Sequence, residues 1–277
     1  MSTADLHIHS MYSDGTMTID QIARTAYERG VRLLAVSDHD MLDGARQLQK
    51  HVKQHEEYKD MCCIPAVEIN TLDRGNNVHI LGYHVDLEDV AFDAFITENR
   101  HKLDDVSIQM IRKMERDHET ISLEEFQRFT YDRTKGGFEA LHYLMEKGFT
   151  DSLKEGFRFF EIYDCPYSCV EFPDVPSAIE KIHKAGGIAV LAHPGVTIKE
   201  RELEKFWQEL YRFVDMGIEG IECYYPLHTD WITKYSLQVC AREGLYITAG
   251  SDCHGCYSGG EINAMKTPVQ AVTLPHS

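Results

Sequence analysis

Histidine and acidic side chains recur along this sequence at positions where they could bind divalent metal ions. Two histidines stand two residues apart near the start, in ADLHIHSMYSDG (residues 4–15). Neutral imidazole and carboxylate groups are ligands suited to Zn, Mn and Fe. Without metal, so many ionisable groups brought together would repel one another and lose hydration. The sequence therefore predicts a site for more than one metal ion, with candidate donors His7, His9, Asp38, His39, Glu68, His79, His193, Asp252 and His254.

The strength of this prediction lies in the number of donors and not in any single pair. On a strand, His7 and His9 would point to the same side, because side chains alternate between the two faces. An isolated histidine is nevertheless more often a hydrogen-bonded structural residue than a ligand. Asp14, in the segment SDG, is on its own typical of an ordinary turn.

The elements that carry these donors alternate between strand and helix. Strands over ADLHIH and VRLLAVSDHD flank a helix that begins with a Thr18–Gln21 capping box and ends at Gly30. Later, a helix begun by Ser177 and Glu180 precedes strands in IAVLAHP, MGIEGIECYY and LYITAGSDCHG. This order predicts an α/β fold with a mostly parallel sheet, open or closed into a barrel. We expect the donors to converge at the carboxyl ends of the strands, where such folds place their chemistry.

The middle of the chain departs from this alternation. Residues 91–160 have a charged, helical pattern without a strand of comparable apolar quality. We interpret this segment as a helical cap inserted into a barrel made of residues 1–90 and 161–277. Two ordinary outer helices of the barrel are the alternative.

Composition limits the function classes. The 28 basic and 45 acidic residues give a formal net charge of −17, which disfavours binding of a long polyanion. No segment approaches the roughly 18 apolar residues of a membrane span, and the start lacks a signal-peptide pattern, so we expect a cytoplasmic protein without a membrane partner. The eight cysteines are expected to be mostly reduced, and Cys253–Cys256 has no second C-x-x-C to complete a zinc site.

Taken in order, several motifs resemble those of the PHP family, named for its polymerase and histidinol phosphatase members. The chain is most similar to the stand-alone bacterial phosphoesterases that carry a helical cap insertion. The resemblance covers nearly the whole chain. It implies a distorted, TIM-like (β/α)7 barrel with two or three metal ions at the C-terminal face of the strands. The motifs are DLHIHSMYSDG, SDHD, Glu68, VHILGYHVD, LAHPG, GIEGIECYYP and GSDCHG.

The resemblance also implies a role for each matching residue. Glu68 would bridge metal ions, and Asp14, His39 and His254 would hold a third ion. Asp38 and Asp40 would orient His39. The metals would be Mn, Fe or Zn, a choice that this ligand set does not determine. The complete set of implied ligands is His7, His9, Asp14, His39, Glu68, His79, His193, Asp252 and His254.

The implied activity is metal-dependent hydrolysis of phosphate esters by a metal-bound hydroxide. The substrate would be a small phosphorylated metabolite such as a nucleotide or a sugar phosphate, cleaved as a monoester or as a diester, a cyclic diester included. Asp40 and His228 are the candidate residues for protonating the leaving group.

The segment TKGGFEALHYLMEKG departs from the pattern of apparent relatives, many of which carry a G-R-P-H-like segment here. The expected Arg and His are replaced by Gly137 and Glu139. Basic residues elsewhere could supply the lost phosphate contact, although each alone is also typical of a solvated surface charge. The candidates are Arg133, Lys135, Arg158 and Arg201, with Tyr224, Tyr225 and His228 as further pocket residues.

Three other functions remain open. A 5′-3′ exonuclease that trims short RNA ends is the nearest alternative, with nucleic acid bound only as a short oligonucleotide. The net charge and the lack of a basic aromatic stripe disfavour a long polymer. A non-catalytic module would be expected to have lost ligands. Hydrolysis of a C–N bond would call for a strand-end lysine to bridge the metals.

Overall fold

The computed structural model describes residues 2–257 and 260–276, and its centre is a barrel of short strands. Two sheets form it, in the orders β1–β2–β3 and β4–β5–β6–β7–β8. Paired strands are parallel except for β5, which is antiparallel to both β4 and β6. The strands are β1 (Thr3–Asp5), β2 (Val31–Leu34), β3 (Cys62–Cys63), β4 (Ala66–Asp73), β5 (Asn76–Tyr83), β6 (Ile188–Leu191), β7 (Gly220–Tyr224) and β8 (Tyr246–Ala249).

Single bridges beyond the strand ends close the two sheets into one barrel. Ile8 pairs with Cys253 and His39 with Glu68, both in parallel. The Leu6 amide also donates to the Ala249 carbonyl at 2.8 Å. The predicted α/β barrel is therefore confirmed, in the distorted (β/α)7, TIM-like form. The distortion is the antiparallel β4–β5 hairpin, which the alternation of strands and helices did not predict.

Helices surround the barrel. They are α1 (Ile19–Glu28), α2 (Asp43–Gln54), α3 (Val90–Met114), α4 (Leu123–Phe126), α5 (Glu139–Glu146), α6 (Leu153–Gly156), α7 (Arg158–Ile162), α8 (Val175–Lys184), α9 (Pro194–Thr197), α10 (Leu203–Asp215) and α11 (Asp230–Glu243). Within residues 2–257 and 260–276, no helix combines the length and the apolar character that crossing a membrane requires.

The capping residues explain where two of the predicted helices begin. The capping box of α1 is confirmed, since Thr18 and Gln21 each accept a hydrogen bond from the other's backbone amide. The predicted start of α8 at Ser177 is wrong. Asp174 caps this helix by accepting from the Ser177 amide at 2.8 Å, and Pro176 fits the first turn because no partner is needed there for its missing N–H.

Alternation along β4 turns Glu68 into the barrel. Ala66 belongs to the apolar cluster inside the barrel, whereas Val67 and Ile69 belong to the cluster beneath the outer helices α8 and α10. Because successive side chains on a strand point to opposite faces, Glu68 shares the inner face with Ala66. The fold therefore buries a carboxylate at its centre, with 1% of its surface exposed.

Helices α3 to α7 lie between β5 and α8 along the chain, and α3, α4, α5 and α7 share an apolar core of their own, which includes Met110, Phe126 and Tyr143. Asn99 of α3 ties this helical segment to the barrel, because its side-chain amide donates to Asp40 Oδ1 at 2.7 Å and to the Asn70 carbonyl at 2.9 Å. The interpretation of residues 91–160 as a separate cap stays a prediction. All eight cysteines are free thiols.

Candidate active site

Imidazole nitrogens surround one oxygen of the Glu68 carboxylate. Oε2 lies 3.0 Å from His7 Nε2, 3.1 Å from His9 Nε2 and 3.3 Å from His39 Nδ1. These histidines come from the chain just after β1 and β2. The barrel therefore brings imidazole nitrogens from two separate segments of the chain to a single carboxylate oxygen.

The other oxygen of Glu68 faces a second pair of histidines. Oε1 lies 2.9 Å from His79 Nδ1 and 3.0 Å from His193 Nε2. The two imidazole nitrogens are themselves 3.4 Å apart. Since both of its oxygens face donor groups, Glu68 has the geometry of a carboxylate that bridges two metal ions.

Two aspartates complete the cluster on its other side. Asp252 Oδ1 lies 3.1 Å from His9 Nε2, and Asp14 Oδ2 lies 3.3 Å from His254 Nε2. The rings of His9 and His254 stack with centroids 4.0 Å apart. The structure thus places all nine residues implied by the family resemblance in one cluster around Glu68.

The strand positions of two donors differ from the prediction that all of them stand at carboxyl ends. Glu68 lies inside β4, and His79 lies inside β5, paired with Asn70 across the hairpin. Strands β4 and β5 continue past the site and are joined by a short turn, because antiparallel strands need no crossover helix between them. His193 and Asp252 do follow the ends of β6 and β8, as predicted.

Backbone strain marks the strand ends next to the cluster. Asp40, His193 and Asp252 have φ angles of +45°, +28° and +51°. Side chains other than glycine rarely adopt positive φ, and such conformations gather at functional sites where the surrounding structure enforces them. His193 and Asp252 direct their side chains into the cluster, whereas Asp40 directs its carboxylate to Asn70 and Asn99.

The donor cluster fits divalent metal ions because it leaves buried polar atoms without partners. Glu68 Oε2, His9 Nδ1 and His39 Nδ1 are inaccessible to solvent and make no hydrogen bond within the described residues. Leaving such atoms unpaired costs free energy that a bound cation would remove. Three groups of donor atoms, each within 4.8 Å of one another, could hold ions: His9, Asp14, His39 and His254; His7, His9, Glu68 and Asp252; and His39, Glu68 and His79.

Protons and metal ions compete for these side chains. Burial acts to raise the pKa of Glu68, but His7 and the other histidines outweigh it and hold that pKa well below its ordinary range. Burial acts to lower the pKa of His9, but the nearby carboxylates of Asp252 and Glu68 raise it to about 10. Burial lowers the pKa of His39 to about 3. Metal binding must therefore release protons from some of the histidines.

Glu222, on β7, is a site residue that sequence reasoning missed. Its Oε1 accepts from His7 Nδ1 at 3.0 Å, and its Oε2 accepts from the His193 amide at 2.7 Å. A carboxylate on Nδ1 leaves His7 Nε2 free to face the cluster. The available signal was a lone acid inside the apolar strand segment GIECY.

Asp38 holds the loop that carries Asp14. Its carboxylate accepts from the Ser10 amide at 2.7 Å, the Ser10 hydroxyl at 2.6 Å and the Ser13 hydroxyl at 2.5 Å. Within the described residues it makes no hydrogen bond to His39. The expectation that Asp38 orients His39 is therefore wrong, because the neighbouring serines take up its oxygens.

Asp40 likewise bonds to residues other than His39. It accepts from the Asn70 side-chain amide at 2.7 Å as well as from Asn99, and the expectation that it orients His39 is wrong for the same reason. Burial raises the pKa of Asp40 to about 6. Its carboxylate lies in the wall of a large cavity.

This cavity, of about 1130 Å³, lies between the barrel and the helical segment. Arg100 and Arg133 are among its lining residues. Arg100 Nη1 is buried without a hydrogen-bond partner within the described residues, whereas Arg133 Nη1 donates to the Tyr12 carbonyl at 3.1 Å. Its aromatic walls are formed by Phe126, Phe129, Tyr131, Phe138, Phe157, Phe160 and Tyr167.

The other basic candidates are described residues outside this lining. Arg158 donates to the Phe149 carbonyl at 3.3 Å, and Arg201 donates to the Gly195 carbonyl at 2.9 Å. Lys135 ends a short turn that begins at Arg133. Of the four predicted phosphate contacts, the structure brings Arg133 to the cavity.

His228 braces two backbone segments. Its Nδ1 donates to the Cys223 carbonyl at 3.1 Å, and its Nε2 accepts from the Gly195 amide at 3.1 Å. Both ring nitrogens are therefore occupied. Tyr224 and Tyr225 were predicted as pocket residues together with His228. Tyr225 donates its hydroxyl to Asp252 Oδ2 at 2.9 Å, and Tyr224 packs against the apolar clusters of the barrel.

The barrel and its buried cluster of imidazoles and carboxylates define a metal-dependent hydrolase. The chain belongs to the PHP family, because the family model described as PHP domain matches residues 5–220.

Known proteins similar to this chain act on phosphate esters. The 5′-3′ exoribonuclease Rnm of Escherichia coli is 28% identical, over 90% of this chain and 84% of its own. The 3′,5′-nucleoside bisphosphate phosphatase of Chromobacterium violaceum is 27% identical, over 94% and 90%. A crystal structure from Bifidobacterium adolescentis, described as a metal-dependent phosphoesterase, has a TM-score of 0.77 at 21% identity and covers 98% and 94% of the two chains, which shows the same fold.

Proposed function

We propose that this protein hydrolyses phosphate esters of a small phosphorylated metabolite, with two or three Mn, Fe or Zn ions. The observation that carries the proposal is the convergence of nine imidazole and carboxylate groups, Glu68 among them, in one buried cluster. Beside them lies a cavity with aromatic walls, whose lining includes Arg46, Arg100 and Arg133.

The three donor groups named above are the proposed metal sites. His9, His39 and Glu68 each belong to two of these groups, so neighbouring sites share a ligand. When bound, such ions supply an activated water and neutralise charge on the phosphoryl oxygens. The protein's own contribution is to fix the orientation of the proposed ligands through hydrogen bonds. Glu222 accepts from Nδ1 of His7, and Asp38 accepts from Ser13 in the loop that carries Asp14.

The cavity favours a nucleotide over a sugar phosphate. Its seven aromatic residues offer faces on which a flat base can stack. The unpartnered Nη1 of Arg100 is a buried, charged donor suited to a phosphate oxygen. Arg133 donates to the Tyr12 carbonyl through Nη1, and its remaining N–H groups can donate to a second phosphate oxygen. We therefore assign the base to the aromatic walls and a phosphate to the two arginines.

Asp40 is the better placed of the two candidate proton donors to the leaving group. It lies in the cavity wall next to His39, whereas the ring nitrogens of His228 are taken up by the backbone of Cys223 and Gly195. The role of Asp40 stays a prediction, as do those of Lys135, Arg158 and Arg201.

The test is phosphate release by the Mn-loaded protein from a panel of esters. The panel contains nucleoside monophosphates, nucleoside 3′,5′-bisphosphates, a cyclic phosphodiester, sugar phosphates and a short 5′-phosphorylated RNA. We expect turnover of a nucleotide, abolished by a chelator and restored by added Mn. Glu68→Gln, which keeps the size of the side chain, should lose the activity, and Glu180→Gln on the exposed face of α8 should keep it.

Turnover that survives both the chelator and Glu68→Gln would contradict the proposal, since it would come from another enzyme or another site. A preference for sugar phosphates would contradict the assignment of the aromatic walls to a base.

Trimming of short RNA from its 5′ end is a second candidate function. The supporting observation is the similarity to the E. coli exoribonuclease over 90% of this chain. Release of mononucleotides from the RNA, with no turnover of free nucleotides, would favour this function over the first.

A further inference from the structure

The hydroxyl of Tyr257 is a buried donor whose hydrogen-bond partner is absent from the described residues. The oxygen is inaccessible to solvent and makes no hydrogen bond. Burial raises the pKa of Tyr257, and Asp14, Tyr167 and Tyr131 raise it further. Asp14 belongs to the donor cluster, and Tyr131 and Tyr167 line the cavity. Since the phenol stays protonated, it can serve there as a donor.

The loop Gly136–Gly137 makes room for the ring of Tyr257. A Cβ on Gly137 would lie 3.1 Å from the ring atom Cε2, and a Cβ on Gly136 would lie 2.8 Å from Tyr257 Cβ. Both glycines also have positive φ, +68° and +73°, which side chains rarely adopt. The glycine pair and the tyrosine ring therefore fit each other, and a larger residue at position 137 would displace the ring.

The same loop joins the helical segment to the metal-binding loop. The Gly137 amide donates to the Asp14 carbonyl at 2.8 Å, and Tyr131 donates to the Gly137 carbonyl at 2.7 Å. Tyr257 is thus held on two sides, by the loop beneath its ring and by His254, whose ring centroid is 6.4 Å away. Tyr257 therefore lies next to the loop that carries Asp14, since a Cβ on Gly136 would lie 2.8 Å from both the Asp14 carbonyl oxygen and Tyr257 Cβ.

We propose that Tyr257 binds substrate by donating its phenolic hydrogen to a phosphoryl oxygen on the Asp14 side of the metal site. A buried donor without a partner costs free energy in the free protein, and a phosphoryl oxygen is a strong acceptor that would remove this cost. Asp14 itself is not that acceptor, because its carboxylate faces Ser13, His9 and His254. This inference rests on the proposed phosphoesterase function.

The experiment compares the Mn-loaded wild type with Tyr257→Phe, dialysed free of excess Mn, at increasing concentrations of inorganic phosphate. Without phosphate, the variant should melt no lower than the wild type, because the hydroxyl it lacks has no partner in the free protein. The dissociation constant for phosphate should rise about tenfold or more, the usual worth of a hydrogen bond to a charged group. The inhibition constant of phosphate in the esterase assay should rise by the same factor, at unchanged metal content.

Tyr163→Phe is the matched control, since its hydroxyl pairs with His118 Nε2 at 2.9 Å in the helical segment. It should lower the melting temperature and leave phosphate binding unchanged. Equal phosphate affinity in Tyr257→Phe and a hydrolytically active wild type would overturn the inference alone. A lower melting temperature of Tyr257→Phe without phosphate, at equal affinity, would give the hydroxyl a structural role instead. A wild type that neither binds phosphate nor cleaves any ester would overturn the proposed function together with the inference.

Discussion

Glu222 Oε1 lies 3.0 Å from Nδ1 of His7, and both side chains are fully buried. This contact connects β7 with the chain beyond β1, two strands that β8 separates in the barrel. It sets the tautomer of a proposed metal ligand, since His7 can present Nε2 to the cluster only while Nδ1 carries the proton.

Replacing Glu222 should weaken metal binding without removing a ligand. In Glu222→Gln, the amide cannot accept at both oxygens, so His7 and the backbone of His193 lose their common acceptor. We expect Mn affinity to fall by ~10–100-fold. Equilibrium dialysis with metal analysis measures this, with Glu180→Gln as the control. Unchanged affinity would mean that His7 keeps its orientation without the carboxylate.

Replacing Asp38 should loosen the loop of Asp14. Asp38→Asn turns one acceptor oxygen into a donor that faces the hydroxyls of Ser10 and Ser13. We expect the free energy of unfolding to fall by about 1–3 kcal/mol, together with loss of the ion that Asp14 would hold. Urea denaturation and metal counting measure the two effects. Loss of stability with full metal content would show that the ligand loop tolerates the change.

Removing the charge of Arg100 should weaken substrate binding more than it slows turnover. In Arg100→Met, the carboxylates of Asp40, Asp104 and Glu139, which Arg100 now offsets, would repel a phosphate. We expect KM to rise about tenfold or more, with partial recovery in Arg100→Lys. Lys102→Met, which breaks an ion pair with Glu98 on α3, is the control. A fall in kcat at constant KM would contradict a role in binding.

His142 should make the stability of the helical segment depend on pH. Burial lowers its pKa, while its hydrogen bond to the Gly136 carbonyl acts to raise it. Because the folded pKa is below the unfolded value, the unfolded state binds more protons near pH 6, and this contribution to stability is lost as pH falls through that range. The wild type should therefore lose stability relative to His142→Gln between pH 7.5 and pH 5 in urea denaturation. A constant difference would show that His142 titrates normally.

The donors that converge in the fold could be predicted from the sequence better than the residues that support them. The predicted metal ligands are histidines and acids that interrupt apolar strands, and their types alone indicate metal binding. Glu222 also interrupts an apolar strand, but its partner His7 is 215 residues away along the chain, so the pairing is visible only in the folded barrel. Asp38 stands beside His39 in the sequence, yet its hydrogen bonds go to Ser10 and Ser13 in the segment that follows the neighbouring strand β1.

The fold was predictable where local rules decide it. The capping box of α1 depends on Thr18 and Gln21 alone and was predicted. The hairpin β4–β5 was not, because periodicity does not distinguish a parallel strand from an antiparallel one. The cavity could not be predicted either, since it depends on where α3 packs, which Asn99 fixes through Asp40 and Asn70.

The length of the turn in the β4–β5 hairpin also determines where two donors of the cluster lie. Its two-residue turn, Arg74–Gly75, has positive φ at both positions and fixes the pairing of Asp73 with Asn76. Each further pair follows from this register, so the turn sets the depth at which Glu68 and His79 meet. A single inserted residue would turn one of them out of the barrel, because a shift of one position exchanges the faces of a strand. A short exposed turn that contributes no donor group to the cluster is thus among the places in this chain least tolerant of a change in length.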